Sequence, residues 1–273
     1  MTVQSDIYNS ILATYYDEVD GAQRDPVDLD FYVDLARKIG GPVLELACGT
    51  GRVLLPIARQ GIAIHGVDSS PYMLDVLRKK VAQEPKEVRE LVSLHEGDIR
   101  SFRSNTKYPL LIIPFGSLHH MYTVADQVAA LETAAFHLEP EGALAFDVFY
   151  PRWTSILPAI GEEVLEHEWT PKSDPGKIMR HYTRRESTDK IHQTGSSTLI
   201  YRIYEGGKLI QEETAPFQTS SYSYPHLRAL FMLAGLEVVE EYGSFDRMLL
   251  DNNSNQMIFM VRKQGGQKMD VSG

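Results

Sequence analysis

Residues 42–68, PVLELACGTGRVLLPIARQGIAIHGVD, constrain this chain more than any other stretch. A short apolar run (Val43, Leu44, Leu46), interrupted by Glu45, stops at Ala47-Cys48 and passes straight into Gly49-Thr50-Gly51. An amphipathic run begins at once (Val53, Leu54, Leu55, Ile57, Ala58), Gly61 closes it, and a second apolar strand over 62–67 ends on Asp68. Strand, glycine turn, helix, strand, acid is the order of a βαβ nucleotide-binding unit. The glycines permit a sharp turn and let backbone N–H groups approach a ligand, and the helix N-terminus beside them favours negative charge. Asp68, at the tip of the second strand, is placed to accept from both hydroxyls of a ribose. A dinucleotide site wants Gly or Ala three positions after the second glycine; Leu54 stands there, which argues against NAD or FAD.

The run 44–51, LELACGTG, resembles the first motif of class I S-adenosylmethionine (SAM)-dependent methyltransferases, and GVDSSPYML at 66–74 is similar to that family's next segment. The alternative is a plain structural βαβ unit. The resemblance implies an α/β fold: a doubly wound, seven-stranded, mostly parallel Rossmann-like sheet of order 3-2-1-4-5-7-6, with an antiparallel β insert after strand 5. It also implies SAM as cofactor and S-adenosylhomocysteine as product. The cofactor-binding positions it marks are Glu45, Ala47, Gly49, Thr50, Gly51, Arg52, Asp68, Ser69, Met73, Asp98, Ile99 and Phe115.

With 273 residues, 43% of them hydrophobic, the chain can build one large core or a core with a subdomain. A net charge of −10 suits no protein that tracks a phosphate backbone. The lone cysteine, Cys48, forbids an intrachain disulfide and points to a reducing cytoplasm. No apolar run reaches about 18 residues, so no membrane span is expected, and the first ten residues lack a secretory layout. Nothing calls for a metal.

The spacing predicts helices over 7–16 and 29–39, the second ended by Gly40-Gly41. The aromatic lead-in resembles the N-terminal lid of small-molecule methyltransferases, in which the tyrosine of a Tyr-Asp pair lies over the SAM site; Tyr16 matches it, or else simply packs the lid. Ser69 or Ser70 caps the next helix, with Pro71 in its first turn. By resemblance Met73 lies against adenine, where a thioether suits an aromatic face; otherwise it fills core. After a strand over 91–94, Asp98 and Ile99 resemble the adenine-reading loop, one accepting from the N6 amine and the other donating through its N–H; otherwise Asp98 is a turn acid. The run 108–114, YPLLIIP, reads as a strand covered on both faces, and 115–121, FGSLHHM, sits at its C-terminal end, where ligands of open α/β sheets bind. The stretch 113–116, IPFG, lacks the base-clamping run of nucleic-acid adenine methyltransferases. A helix over 124–138 and a strand over 142–149 complete five alternating βα repeats.

From Trp153 to Tyr222 period-2 patterning takes over, with strands over 177–185, 197–204 and 208–214 and a hairpin turn at Glu205-Gly206-Gly207. A helix after Ser223 and strands over 236–242 and 255–263 finish the sheet. The resulting organisation is a helical lid over 1–40, a SAM-binding core over 41–150, a β-rich insert over 151–222, the completion of the core over 223–263, and a flexible tail over 264–273.

The closest resemblance is to sugar N,N-dimethyltransferases and glycine N-methyltransferase-like enzymes. It implies methyl transfer to N or O of a small polar metabolite, such as an amino sugar or nucleotide-linked sugar, by in-line displacement. His120 matches the family's active-site histidine by position, with a pKa suited to a base; His119 is its rival, and either can be a packed histidine instead. On the insert Arg180, Tyr182 and Arg184 share a face and, with Tyr201 and Arg202, would hold a substrate phosphate or carboxylate, unless they form a solvated cationic stripe. Competing readings are a protein or RNA methyltransferase and a SAM-binding protein without turnover. A small-molecule substrate is the expected partner; nucleic acid and membrane are not, and a homodimer is left open.

Overall fold

The computed structural model describes residues 16–18, 27–150, 159–172 and 174–265. The chain divides into two compact units, Met1–Arg24 with Arg152–Ser220 and Asp25–Pro151 with Ser221–Gly273.

The larger unit holds β1 (Val43–Leu46), β2 (Ile64–Asp68), β3 (Val92–Glu96), β4 (Tyr108–Ile113), β5 (Leu138–Phe149) and, after the insert, β10 (Leu236–Tyr242) and β11 (Gln256–Lys263). Their order is β3-β2-β1-β4-β5-β11-β10, with the first five strands parallel and the last two antiparallel. This is the expected order 3-2-1-4-5-7-6 once the four insert strands are counted. The helices are α1 (Val27–Ile39), α2 (Leu54–Ala58), α3 (Pro71–Gln83), α4 (Lys86–Arg89), α5 (Val124–His137) and α6 (Tyr224–Leu233). Capping fixes several starts: Ser70 accepts from the Met73 N–H, Thr123 from that of Asp126, and Ser223 from that of His226.

Two apolar clusters flank the sheet, and strand alternation sorts residues between them. Leu44, Leu46, Leu144, Phe146 and Val148 join one cluster with residues of α5 and α6. Val43, Ala143 and Ala145 join the other, with Phe31, Tyr32 and Leu35 of α1 and Leu74 and Leu77 of α3. The same period of two puts Glu45 in the column of Val43 and Asp147 in that of Ala145, so β1 and β5 each carry a buried carboxylate near their C-terminal ends on the face that α1 covers.

In the smaller unit β6 (Glu163–Trp169), β7 (Lys177–Asp189), β8 (Thr194–Glu205) and β9 (Lys208–Ser220) form an antiparallel sheet in sequence order. Gly206 and Gly207, both at positive φ, make the tight turn between β8 and β9. Within this unit the Trp169 indole donates to Glu18, 151 positions away along the chain.

Some elements differ from expectation. Most of the helix over 7–16 and nearly all of the tail over 264–273 lie outside the described residues. Residues 27–39, grouped with the lid, bury Phe31, Tyr32 and Leu35 in the larger unit's core. Strand β6 was not expected, and β7–β9 run several residues further. Their ends are Ser- and Thr-rich and pair by side-chain contacts such as Ser187 Oγ to Ser196 Oγ (2.6 Å), which hydrophobic patterning does not detect. Among the described residues no helix is long and apolar enough to cross a membrane.

Phe146 packs with Phe231 (5.8 Å) and Phe259 (5.7 Å), which touch each other at 5.2 Å, in a triangle of rings within one cluster. Phe146→Ala is expected to lower unfolding stability by about 3–5 kcal/mol; urea denaturation showing a loss under about 1 kcal/mol would contradict this packing.

Candidate functional site

After β1 the chain reverses through Ala47, Gly49 and Gly51, all at positive φ (61°, 53° and 81°). A left-handed alanine costs of order 1 kcal/mol, so the turn must be held by its partners. Cys48 N–H donates to Val67 O (3.0 Å) and Gly51 N–H to Cys48 O (2.9 Å). Asp68 receives the Gly49 N–H on Oδ2 and the Ser70 N–H on Oδ1, both at 2.8 Å, and so ties the glycine turn to the start of α3. Burial pushes the Asp68 carboxyl up, against the pull of the Ser70, Gly49 and Ser69 amides. Lys80 Nζ holds the Thr50 carbonyl at 2.7 Å.

The two glycines do different work. A Cβ on Gly51 would stand 2.3 Å from Leu77 Cδ1, so that glycine admits α3; a Cβ on Gly49 would meet nothing within 4 Å. Beside the turn Glu45 is 3% exposed, and its Oε2 has no hydrogen-bond partner among the described residues. Burial pushes this carboxyl up to about 8, Arg52 opposing and Asp68 adding to the rise. Arg52 grips Asp28 with both terminal nitrogens (3.0 and 2.5 Å) and lies 5.5 Å over the Phe115 ring. Open space above Gly49 and an unsatisfied buried carboxylate oxygen fit SAM, which brings an ammonium to the same turn that takes its ribose.

At the end of β4, Phe115 (φ 64°) and Gly116 (φ 61°) are both left-handed. Their N–H groups donate to Asp147 of β5, to Oδ1 at 2.7 Å and Oδ2 at 2.9 Å, and the Tyr32 hydroxyl donates to Oδ1 at 2.6 Å. Burial raises Asp147 to about 6, with Tyr32 as the largest opposing influence. The 3-10 turn Ser117–His120 follows. His119 is buried and stacked on Phe149 (5.4 Å), and its Nε2 accepts the Phe149 N–H at 2.9 Å. That bond uses the lone pair a base would need, so His119 serves packing. Burial and then repulsion from His119 lower His120 to about 4. Its pKa thus departs from the unperturbed value that the sequence suggested, leaving the imidazole neutral near pH 7.

The remaining expected positions are dispersed in role. Asp98 lies past β3, and its carboxylate takes the Arg100 guanidinium through both oxygens and the Arg100 N–H through Oδ1. Burial pushes it up, but these donors outweigh burial and leave it below the ordinary range. Ile99 and Met73 are buried, Met73 in neither apolar cluster, and Ser69 is exposed. Tyr16 lies in the helical turn 16–18 of the smaller unit.

On the insert Arg180, Tyr182 and Arg184 do share a face, but carboxylates answer the cations. Arg180 meets Glu168 (2.6 Å), Arg184 meets Glu186 (2.9 Å) and Glu163 (3.4 Å), and Arg202 meets Glu163 (2.8 Å) and Glu212 (2.6 Å) while covering the Tyr182 ring. Tyr201 belongs to the opposite face: it pairs with His181 across β7–β8 and stacks on it at 4.5 Å. Neither ring nitrogen of His181 has a hydrogen-bond partner, and burial lowers it to about 4.

The sequence reading missed Asp147, Tyr32 and Asp28. The signal for Asp147 was present: an acid two positions after Ala145 in the apolar run GALAFDVF must share that residue's buried face.

Gly49→Ala is expected to cost about 1 kcal/mol of stability yet weaken SAM binding more than ten-fold, by filling space the ligand needs. Gly51→Ala is expected to lose about 2–3 kcal/mol through the clash with Leu77. Denaturation and calorimetry on both variants check this, and equal effects on SAM affinity would contradict the division of labour. A second expected outcome concerns pH. Glu45 has a folded pKa near 8 against an ordinary 4.5, so its contribution to ligand-free stability is complete below about pH 4.5 and lost as pH rises through 8. Relative to Glu45→Gln, the protein is expected to lose about 5 kcal/mol across that window; a difference that does not vary with pH would refute it.

Residues 43–142 match a family described as a methyltransferase domain. The chain is 27% identical over 172 residues to the dTDP-3-amino-3,4,6-trideoxy-alpha-D-glucopyranose N,N-dimethyltransferase of Streptomyces venezuelae, covering 55% of this chain and 69% of that protein. It is 23% identical over 265 residues to the cypemycin N-terminal methyltransferase of a Streptomyces species, covering 94% and 98%. The solved structure of the CcbJ methyltransferase from Streptomyces caelestis is similar at a TM-score of 0.79 and 28% identity, covering 95% of this chain and 99% of that one. With the strand order and the carboxylate-held glycine turn, these likenesses make the chain a SAM-dependent methyltransferase, with a methyltransferase domain matched over residues 43–142.

Proposed function

We propose that the protein methylates the amine nitrogen of a small polar metabolite, an amino sugar carried on a nucleotide. The observation that carries the reading is the glycine turn held by Asp68, with open space at Gly49, and the turn Ser117–His120 beyond the neighbouring strand β4. Relatives named as N,N-dimethyltransferases of dTDP-3-amino sugars support the acceptor class.

When bound, SAM supplies a methyl group on a sulfonium, a leaving group that departs as a neutral thioether. The chain's part is to hold and align. Asp68 keeps lone-pair capacity beyond its backbone donors for ribose hydroxyls. Glu45, with an oxygen unsatisfied, is left for the ammonium. The turn at Gly49, Thr50 and Gly51 would shape the floor, Met73 and Ile99 would line the adenine, and Asp98 would accept from its amine. His120, as a neutral acceptor, takes an N–H of the incoming amine and so orients its lone pair. At a pKa near 4 it does not keep a proton, so the amine must arrive uncharged.

A second reading has its own support: the relative named as an N-terminal methyltransferase matches nearly the whole chain. In that case the acceptor is a peptide α-amine, a nucleophile of the same kind.

The experiment is incubation with trideuteromethyl-SAM and, separately, a dTDP-3-amino sugar, its 3-hydroxy counterpart and a short peptide with a free N-terminus, read by mass spectrometry. Label in the amino sugar alone is the expected result, with His120→Ala lowering turnover but not SAM affinity. Label confined to the peptide selects the second reading, and label in the hydroxy sugar overturns the assignment to nitrogen.

A further inference from the structure

We propose that Asp147 is the positioning residue of this site: its carboxylate, gripped by Tyr32 and by the Phe115 and Gly116 amides, sets the loop that carries His120, and sets it only while charged. This rests on the reading of the loop beyond β4 as the acceptor side of the site.

Three donors converge on this one side chain. Oδ1 receives the Tyr32 hydroxyl (2.6 Å) and the Phe115 N–H (2.7 Å), and Oδ2 receives the Gly116 N–H (2.9 Å). Both amides can only donate, and the hydroxyl donates in this arrangement. A carboxylate offers only acceptors and satisfies all three. A protonated carboxyl, or an asparagine amide, brings a donor into a ring of donors and leaves one group unmet in a buried place. The two amides converge because Phe115 and Gly116 are both left-handed, a conformation that a phenylalanine keeps only when its surroundings enforce it. A Cβ on Gly116 would lie 2.9 Å from His119 Cδ2, so the backbone has little room to settle elsewhere.

The groups around Asp147 decide when it loses its charge. From α1, Tyr32 stabilises the anion and Asp28 repels it. Arg52 partly answers Asp28 by pairing with it. The loop beyond β4 contributes the two amides, while its His119 is committed to the Phe149 N–H. The facing position on β11 is Ile258, without charge. Burial dominates and raises Asp147 to about 6, so the brace begins to fail just below neutral pH.

The test uses the full chain and reads the amides directly. In nitrogen-15 spectra from about pH 5 to 8, the Phe115 and Gly116 amide shifts are expected to titrate together with a midpoint near 6. They should not titrate in Asp147→Asn, and the midpoint should rise in Tyr32→Phe, which removes one donor to the anion and keeps the proposal testable if Asp147→Asn does not fold. With the dTDP-3-amino sugar and SAM, kcat should fall on the acid side with the same midpoint. It should drop by at least about ten-fold in Asp147→Asn, with SAM affinity, measured by calorimetry, little changed. Amides that do not titrate in the unaltered protein, an unmoved midpoint in Tyr32→Phe, or full kcat in Asp147→Asn would each overturn the proposal. The amide titration needs no acceptor, so it separates failure of the brace from failure of the amino-sugar reading.

Discussion

Backbone amides that turn inward at the C-terminal ends of parallel strands need acceptors, and in this protein buried carboxylates provide them. Asp68 takes the Gly49 and Ser70 amides; Asp147 takes those of Phe115 and Gly116. Left-handed residues aim their N–H groups into a shared concavity, and without an anion those groups would be stranded in an apolar core at a cost of about 1–3 kcal/mol each. The anions carry their own desolvation cost, visible in the raised pKa of both. Each side of the arrangement is tolerable only because the other is present.

Glu45 is the exception. It shares the buried face of Val43 and stands close enough to Asp68 and Arg52 to feel both charges, but one of its oxygens answers no donor. A native structure leaves few buried polar atoms unmet, and those it leaves call for an explanation. Here a cofactor that arrives with an ammonium supplies one. The acid inside β1 is then a cost to the ligand-free fold that binding offsets.

The sheet was legible because period and punctuation agreed: apolar alternation in β1, Gly49 and Gly51 at the turn, Gly61 at the stop, Asp68 at the tip. The turn held by Asp68 was legible for the same reason, since Gly49, Gly51 and Asp68 lie at those strand ends. The loop beyond β4 was not. Two adjacent histidines look alike in sequence, and only the fold shows that Phe149, 30 positions on, claims the Nε2 of His119. The pKa of His120 was misjudged because burial is a tertiary fact. In the insert, Arg180, Tyr182 and Arg184 alternate as the sequence suggested, but the arginines' carboxylate partners come from β7 itself and from β6, a strand that was unforeseen. Tyr201 and Arg202, named together with that face, are adjacent in β8 and so point to opposite sides of the sheet.

The reach of Trp169 to Glu18 has a consequence for the order of synthesis. One end of that contact leaves the ribosome early, and the other only after β1 to β5 have been made. The smaller unit therefore waits on a segment that interrupts it, and the larger one waits in turn for β11, which pairs with β5 from beyond the insert. Neither body can be completed before the insert has been translated, so the nascent chain must carry unpaired strand edges for most of its emergence.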